Sequence, residues 1–141
     1  MVETRAVRVK LATKLHVGDE HDQFRFEEPG QLAQLQNGRW YLRYTEHQNG
    51  VASPVQFRFD DEQIVLTRGK NPQTTLIFDA HQPATVQYPT AYGKLNLEVK
   101  TTTYAPLIDW THAIGKVNLA YELHHQGRRL GKYQLTLQFQ A

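Results

Sequence analysis

Two charged residues, Glu46 and Arg68, form a pair whose placement follows from the sequence. Glu46 stands two positions after Tyr44 in one alternating segment, and Arg68 stands two positions after Leu66 in another. The segment at 54–59 lies between the two segments that contain Glu46 and Arg68, and it runs in the opposite direction. The C-terminal ends of those two segments therefore lie at the same edge of an antiparallel sheet. Because side chains two residues apart share a face, Glu46 and Arg68 are both predicted to point towards the core at one end of the fold.

This pair supports two interpretations. The first is an ion pair that closes one end of the fold and orders the neighbouring turns, and such a pair is costly to bury unless it is fully hydrogen-bonded. The second is a polar anchor for an anionic or hydroxylated ligand whose apolar part lies deeper, because the planar guanidinium of arginine suits a carboxylate or a phosphate. The residues themselves leave both interpretations open.

Three tyrosines are candidate ligand-binding residues beside Glu46 and Arg68. Tyr44 and Tyr121 lie on predicted inward faces, where a buried phenol needs a hydrogen-bond partner. Tyr92 precedes a glycine and is expected to begin a strand near a rim. Core packing is the alternative role for all three. The predicted site is therefore for a small ligand, and no catalytic residue or metal ligand is assigned.

The chain lacks most of the residue patterns on which enzymes depend. It has no cysteine, and its single serine, Ser53, precedes a proline outside any nucleophile-elbow pattern. The nine glycines are scattered singly, which argues against a phosphate-binding loop. The seven histidines lack metal-ligand spacing, since the adjacent His124 and His125 point to opposite faces of a predicted strand. We therefore expect no cofactor and favour a non-enzymatic protein. The less favoured alternative is an enzyme in which Glu46 acts as a general base.

Period-two alternation is the strongest structural signal, as in the segment Leu95, Leu97 and Val99. It predicts strands near 4–16, 22–28, 31–36, 39–46, 54–59, 62–68, 74–79, 84–88, 92–100, 102–109, 114–125 and 129–140, some of which should merge. Asn37-Gly38 predicts a tight two-residue hairpin, because both residues tolerate positive φ. Short strands separated by hairpin turns indicate one all-β domain over residues 1–141, either an antiparallel barrel or a sandwich.

The chain resembles the YwiB-like proteins, small bacterial proteins grouped as a domain of unknown function. The resemblance is carried by the segments Trp40–Glu46, Ile64–Gly69, Tyr92–Val99 and Gly115–Leu123, and it extends over nearly the whole chain. It implies a calycin-like barrel, similar in shape to lipocalins, and it brings no known activity. With this resemblance, the predicted fold is a single antiparallel calycin/lipocalin-like β-barrel of about 8–10 strands.

Composition limits the partners of such a barrel. The 141 residues include 16 basic and 14 acidic side chains, a net charge of +2 that is not concentrated on one face, which disfavours nucleic acid. No apolar run reaches the length of a membrane span, so no membrane partner is expected. The sequence shows no signal peptide, and together with the absence of cysteine this favours a cytoplasmic location.

Two main functions remain. The first is non-enzymatic binding of a small, partly apolar and anionic ligand inside the barrel. The alternative is a protein-interaction or structural module with a packed barrel, as a monomer or a homodimer. It is suggested by the outward-pointing Tyr41, Val65 and Ile77, which would form an apolar outer patch.

Overall fold

Alternating side chains produce β-strands along nearly the whole chain. A computed structural model describes residues 3–141, which form ten strands and no helix. The strands are β1 (Glu3–Val17), β2 (Glu20–Gln34), β3 (Trp40–Gln48), β4 (Val51–Phe59), β5 (Gln63–Arg68), β6 (Thr74–Asp79), β7 (Ala84–Thr90), β8 (Gly93–Asp109), β9 (Ile114–His125) and β10 (Arg128–Gln140). The predicted all-β barrel of about 8–10 strands is confirmed.

The strands form one antiparallel sheet in the order β6-β5-β4-β3-β2-β1-β10-β9-β8-β7. The two edge strands, β6 and β7, lie close together without pairing in a ladder, so the sheet is nearly closed into a barrel. We call the end that carries the β1–β2, β3–β4, β5–β6, β7–β8 and β9–β10 turns the open end, and the other the closed end.

Two pairs of predicted strands merge into single long strands. The segments 22–28 and 31–36 contribute to β2, and the segments 92–100 and 102–109 form β8 with a register irregularity between Thr101 and Thr103. In β2, a Cβ atom on Gly30 would lie 2.8 Å from the Arg43 carbonyl oxygen of β3, so glycine here permits a close approach of strands. Pro29 precedes the β2–β3 ladder, so it removes none of the bonds of that ladder.

The hairpin at Asn37-Gly38 is confirmed, but its predicted two-residue turn is wrong. Five residues connect β2 and β3, the Gly38 N–H donates to the Leu35 carbonyl (2.9 Å), and only Gly38 of the pair has positive φ. The Asn37 side chain accepts a hydrogen bond from the Arg39 N–H (2.9 Å), which favours this longer turn. The two-residue turn with positive φ at both positions occurs instead at Asn49-Gly50.

Aromatic side chains fill the closed end of the barrel. Trp40 and Trp110 stack with their ring centroids 4.9 Å apart, and Phe59 meets Trp110 edge-on at 5.3 Å. Phe139 packs against both Phe59 and Trp110 at 6.4 Å. Rings at these separations contribute stability beyond the area that they bury. The barrel is therefore sealed at this end.

The apolar outer patch expected from Tyr41, Val65 and Ile77 is not exposed. These residues do lie in one row across neighbouring strands, with Arg58 paired to both Tyr41 and Val65. Tyr41 and Val65 are nevertheless buried, and the Arg43 guanidinium lies 5.1 Å above the Tyr41 ring. Long arginine side chains can cover apolar surface with their methylene groups. The expectation of an exposed patch was wrong for Tyr41 and Val65, and Arg43 accounts for the coverage of Tyr41.

The β6–β7 connection at the closed end is organised by the buried carboxylate of Asp79. It accepts hydrogen bonds from the Gln63 side chain (2.7 Å) and from the backbone N–H groups of His81 (2.8 Å) and Gln82 (3.1 Å). The hydrogen bond from the Gln63 side chain has the largest effect and the one from the His81 N–H the next largest. Together they hold the pKa of Asp79 below its usual value of 3.8. The ionised form of Asp79 therefore stabilises the folded state.

A pH-dependent stability follows from this depressed pKa. The contribution of Asp79 is present above about pH 4 and is lost as the pH falls through the folded-state pKa, because the unfolded chain then binds more protons. We expect wild type to lose more stability between about pH 5 and pH 2 than Asp79→Asn does. Urea unfolding of both proteins across that range measures the difference. Parallel pH profiles would contradict the role assigned to Asp79.

Candidate functional site

An open cavity of about 330 Å³, which we call the cup, occupies the open end of the barrel interior. Apolar side chains from seven positions form much of its wall: Leu15, Phe24, Phe26, Leu66, Leu76, Leu123 and Leu135. Most of these side chains are only half-buried although they face inward. The barrel interior is thus packed at one end and open to solvent at the other.

The cup reflects a separation of strands β2 and β3. Their ladder joins only Gly30–Gln34 to Trp40–Tyr44, and towards the open end the two strands diverge. The Glu28 side chain bridges the gap, since it accepts a hydrogen bond from the His47 N–H (3.0 Å) and lies 3.1 Å from the His47 ring nitrogen Nδ1. The hydrogen bond from the His47 side chain lowers the pKa of Glu28 below its usual range. This contact joins the two strands where their ladder has ended.

Glu46 and Arg68 meet on the wall of the cup, where alternation had placed them. Arg68 Nε donates to Glu46 Oε1 (2.9 Å), and Arg68 Nη2 donates to Glu46 Oε2 (3.2 Å). The Tyr44 hydroxyl donates to Glu46 Oε2 at 2.7 Å. Glu46 is only 5% exposed, whereas the Arg68 side chain is 37% exposed. The pair is therefore buried at its carboxylate, whereas part of the Arg68 side chain is exposed and lines the cup.

The electrostatics of this cluster favour its charged pair. Burial opposes ionisation of Arg68, but the hydrogen bonds and the charge of Glu46 outweigh burial and raise the pKa of Arg68 above its usual value. Burial, and then the neighbouring Glu46 charge, raise the pKa of Tyr44, which keeps its phenol protonated as a donor. Both carboxylate oxygens are already hydrogen-bonded. This geometry gives little support to Glu46 as a general base.

Tyr121 lies in the same cup as Arg68. Its ring stacks on Tyr133 with centroids 5.0 Å apart, and Tyr88 also lines the cavity. Burial, with a smaller effect of Tyr133, raises the pKa of Tyr121, while the positive charge of Arg68 acts in the opposite direction. Within residues 3–141, no protein acceptor or donor is hydrogen-bonded to the hydroxyls of Tyr88, Tyr121 or Tyr133.

Tyr92 does not belong to the cup. It lies in the β7–β8 turn at the open end and is fully exposed, so it neither lines the cavity nor begins a strand. Tyr88 and Tyr133, which the sequence did not single out, take that place. Alternation contained a signal for Tyr133, because it lies two positions before the inward Leu135. Alternation contained the same signal for Tyr88, because it lies two positions after the inward Val86 in the predicted strand 84–88.

Between residues 3 and 141, no three histidine, aspartate or glutamate side chains are grouped as they would be around a metal ion. Over the same range there is no helix with the length and hydrophobicity needed to cross a membrane.

Comparisons with known proteins agree with this architecture. The family model described as "Domain of unknown function (DUF1934)" matches residues 9–137. The crystal structure of the ywiB protein from Bacillus subtilis is similar, with a TM-score of 0.80 and 14% sequence identity over 98% of this chain and 92% of that one. At that identity the likeness shows the shared fold alone. No curated protein matches the chain.

Proposed function

Because the chain belongs to the DUF1934 family, whose description gives no activity, we propose from its geometry that it binds a small, partly apolar molecule in the cup. The carrying observation is that inward-facing apolar residues remain accessible to solvent there. Phe24, Phe26 and Leu15 all face the cavity and are only half-buried. An apolar ligand in contact with them would remove that surface from water, which contributes about 25 cal/mol per Å² of apolar area.

The size and the polarity of the cup support the same function. Its volume of about 330 Å³ lies at the lower end of the range for small-molecule pockets. Such pockets combine apolar walls with a few polar groups that orient the ligand. Here Arg68 and the phenols of Tyr88, Tyr121 and Tyr133 are those groups. The Glu46–Arg68 ion pair and the polar anchor are therefore compatible, because one edge of Arg68 can hold Glu46 while another meets a ligand.

Filling the cup is expected to abolish binding of an apolar probe. Thr13 lies on the cup wall and is half-buried, so Thr13→Trp places an indole in the cavity. Lys14→Trp is the matched control, because Lys14 is exposed on the opposite face of the same strand. We expect anilinonaphthalene sulfonate fluorescence to increase with wild type and with Lys14→Trp, and at least about tenfold weaker binding by Thr13→Trp. Equal binding by all three proteins, each with a native near-UV spectrum, would contradict the proposal.

The apolar patch that suggested the interaction-module alternative is largely buried. Of Tyr41, Val65 and Ile77, which suggested it, Tyr41 and Val65 are buried, and the Arg43 guanidinium lies over the Tyr41 ring. A homodimer stays a prediction of the sequence, and light scattering at high protein concentration tests it.

A further inference from the structure

Three polar groups of the cup, those of Glu46, Arg68 and Tyr121, lie beside its buried floor. Glu46 and Tyr121 are each only 5% exposed, and Glu46 holds Arg68 through two hydrogen bonds. Leu66, two positions before Arg68 on the inner face of β5, is buried directly below. The charged part of the wall therefore lies next to the packed core.

The apolar part of the wall continues to the mouth. Leu15 lines the cup, and Val17, two positions further along the same face of β1, is 40% exposed. On the β3–β4 hairpin, Val51 is the register partner of the cup-lining Gln48 and is 61% exposed. Exposure of apolar side chains thus increases outward from the charged pair, along the path by which a ligand would enter.

Arg68 has one free edge. Glu46 occupies the edge formed by Nε and Nη2, and no hydrogen bond within residues 3–141 uses Nη1. A guanidinium can hold a second planar acceptor through its Nη1 and Nη2 hydrogens. Glu46 fixes the orientation of the Arg68 guanidinium. Less side-chain entropy is therefore lost when an acceptor binds to its free edge.

We propose that the cup binds a small carboxylate head first, with its acidic group on the free edge of Arg68 and its apolar part extended towards the mouth. This inference rests on the proposed function and specifies its ligand class and orientation. This orientation is opposite to the one expected from the sequence, in which the apolar part of the ligand lies deeper than its polar group. The Glu46 charge already balances Arg68, so the phenols of Tyr121 and Tyr133 supply the further donors that an additional anion requires.

The open mouth has a consequence for chain length. An aliphatic tail gains contact with Leu15 and Val17 until it reaches the solvent, and it meets no wall beyond them. We expect affinity for linear alkanoates to rise about fourfold per methylene inside the cup and to rise much less for longer chains. A ligand oriented tail first would instead be limited sharply by the closed floor.

The experiment compares octanoate with 1-octanol by calorimetry and locates the tail of 8-bromooctanoate by anomalous scattering from the bromine in soaked crystals. We expect octanoate to bind about tenfold tighter than 1-octanol, the effect of a charge-assisted hydrogen bond, and the bromine to lie near Val17. The double variant Glu46→Gln/Arg68→Gln, which leaves no unpaired buried charge, should weaken octanoate more than 1-octanol.

Each other outcome separates the two proposals. Equal affinities of octanoate and 1-octanol in the cup would overturn the head-first carboxylate and leave ligand binding intact. A bromine beside Arg68 would overturn the orientation. If neither compound nor the anilinonaphthalene sulfonate probe binds to wild type, the proposed function itself is wrong, and this inference with it.

Discussion

Replacing Phe139 by alanine is expected to lower the free energy of unfolding by about 3–5 kcal/mol. Phe139 is only 2% exposed and packs against Phe59 and Trp110 at the closed end. A Cβ atom on Gly115 would lie 2.7 Å from the Phe139 ring, so this ring already fits closely against the neighbouring strand. The substitution removes apolar contacts and leaves a cavity that rigid strands cannot collapse to fill. Urea unfolding with linear extrapolation measures the loss.

Phe24→Ala is the matched control for this prediction. It removes the same side chain from the cup wall, where Phe24 is half-buried and one side of its ring faces open space. Fewer contacts are lost and no enclosed cavity forms, so we expect a loss of about 1 kcal/mol. Equal losses for the two variants would show that the cup is as tightly packed in solution as the closed end.

Breaking the Glu46–Arg68 pair is expected to have the second-largest effect. Arg68→Ala leaves the carboxylate of Glu46, only 5% exposed, without its cation. Removing one partner of a buried pair costs about 3–5 kcal/mol, and the partial exposure of Arg68 places this case near the lower limit. We expect a loss of about 3 kcal/mol in urea unfolding.

The double variant Glu46→Gln/Arg68→Gln shows whether the loss of stability in Arg68→Ala comes from the lost attraction or from the unpaired charge of the buried Glu46. It removes both charges and retains groups that can hydrogen-bond to each other and to the Tyr44 hydroxyl. We expect it to be more stable than Arg68→Ala alone, because no unpaired ion is left in the wall. If the free energy of unfolding of Arg68→Ala lies within about 0.5 kcal/mol of the wild-type value, Glu46 is well hydrated in solution, contrary to its burial here.

Alternation predicted much of the fold because a half-buried strand has a period of two. The same rule placed Glu46 and Arg68 at one end of the barrel, since cross-strand position follows from two consecutive hairpins. Turn geometry was less predictable: Asn37-Gly38 and Asn49-Gly50 have the same sequence but form different turns. At Asn37-Gly38, the Asn37 side chain accepts a hydrogen bond from the Arg39 N–H, and this bond together with the β2–β3 register favours the longer turn.

The site was predictable only in part, because a cavity depends on where strands separate. The β2 residues before Gly30 are not paired with β3, and this separation opens the cup and leaves Phe24 and Phe26 exposed to it. Alternation assigns a face to each residue but does not reveal whether that face meets a packed neighbour or a void. It therefore could not distinguish the sealed Phe139 from Phe24, or the exposed Tyr92 from the cup-lining Tyr88.

The most direct test of ligand binding in the cup is native mass spectrometry of freshly purified wild type and Thr13→Trp, each compared with its denatured mass. We expect extra mass on wild type that disappears on denaturation and is absent from Thr13→Trp, in which the cavity is filled. The mass would also identify the class of the captured molecule. If the native mass exceeds the denatured mass by the same amount in wild type and in Thr13→Trp, or if neither protein carries any added mass, the cup is not the site at which this protein retains a ligand.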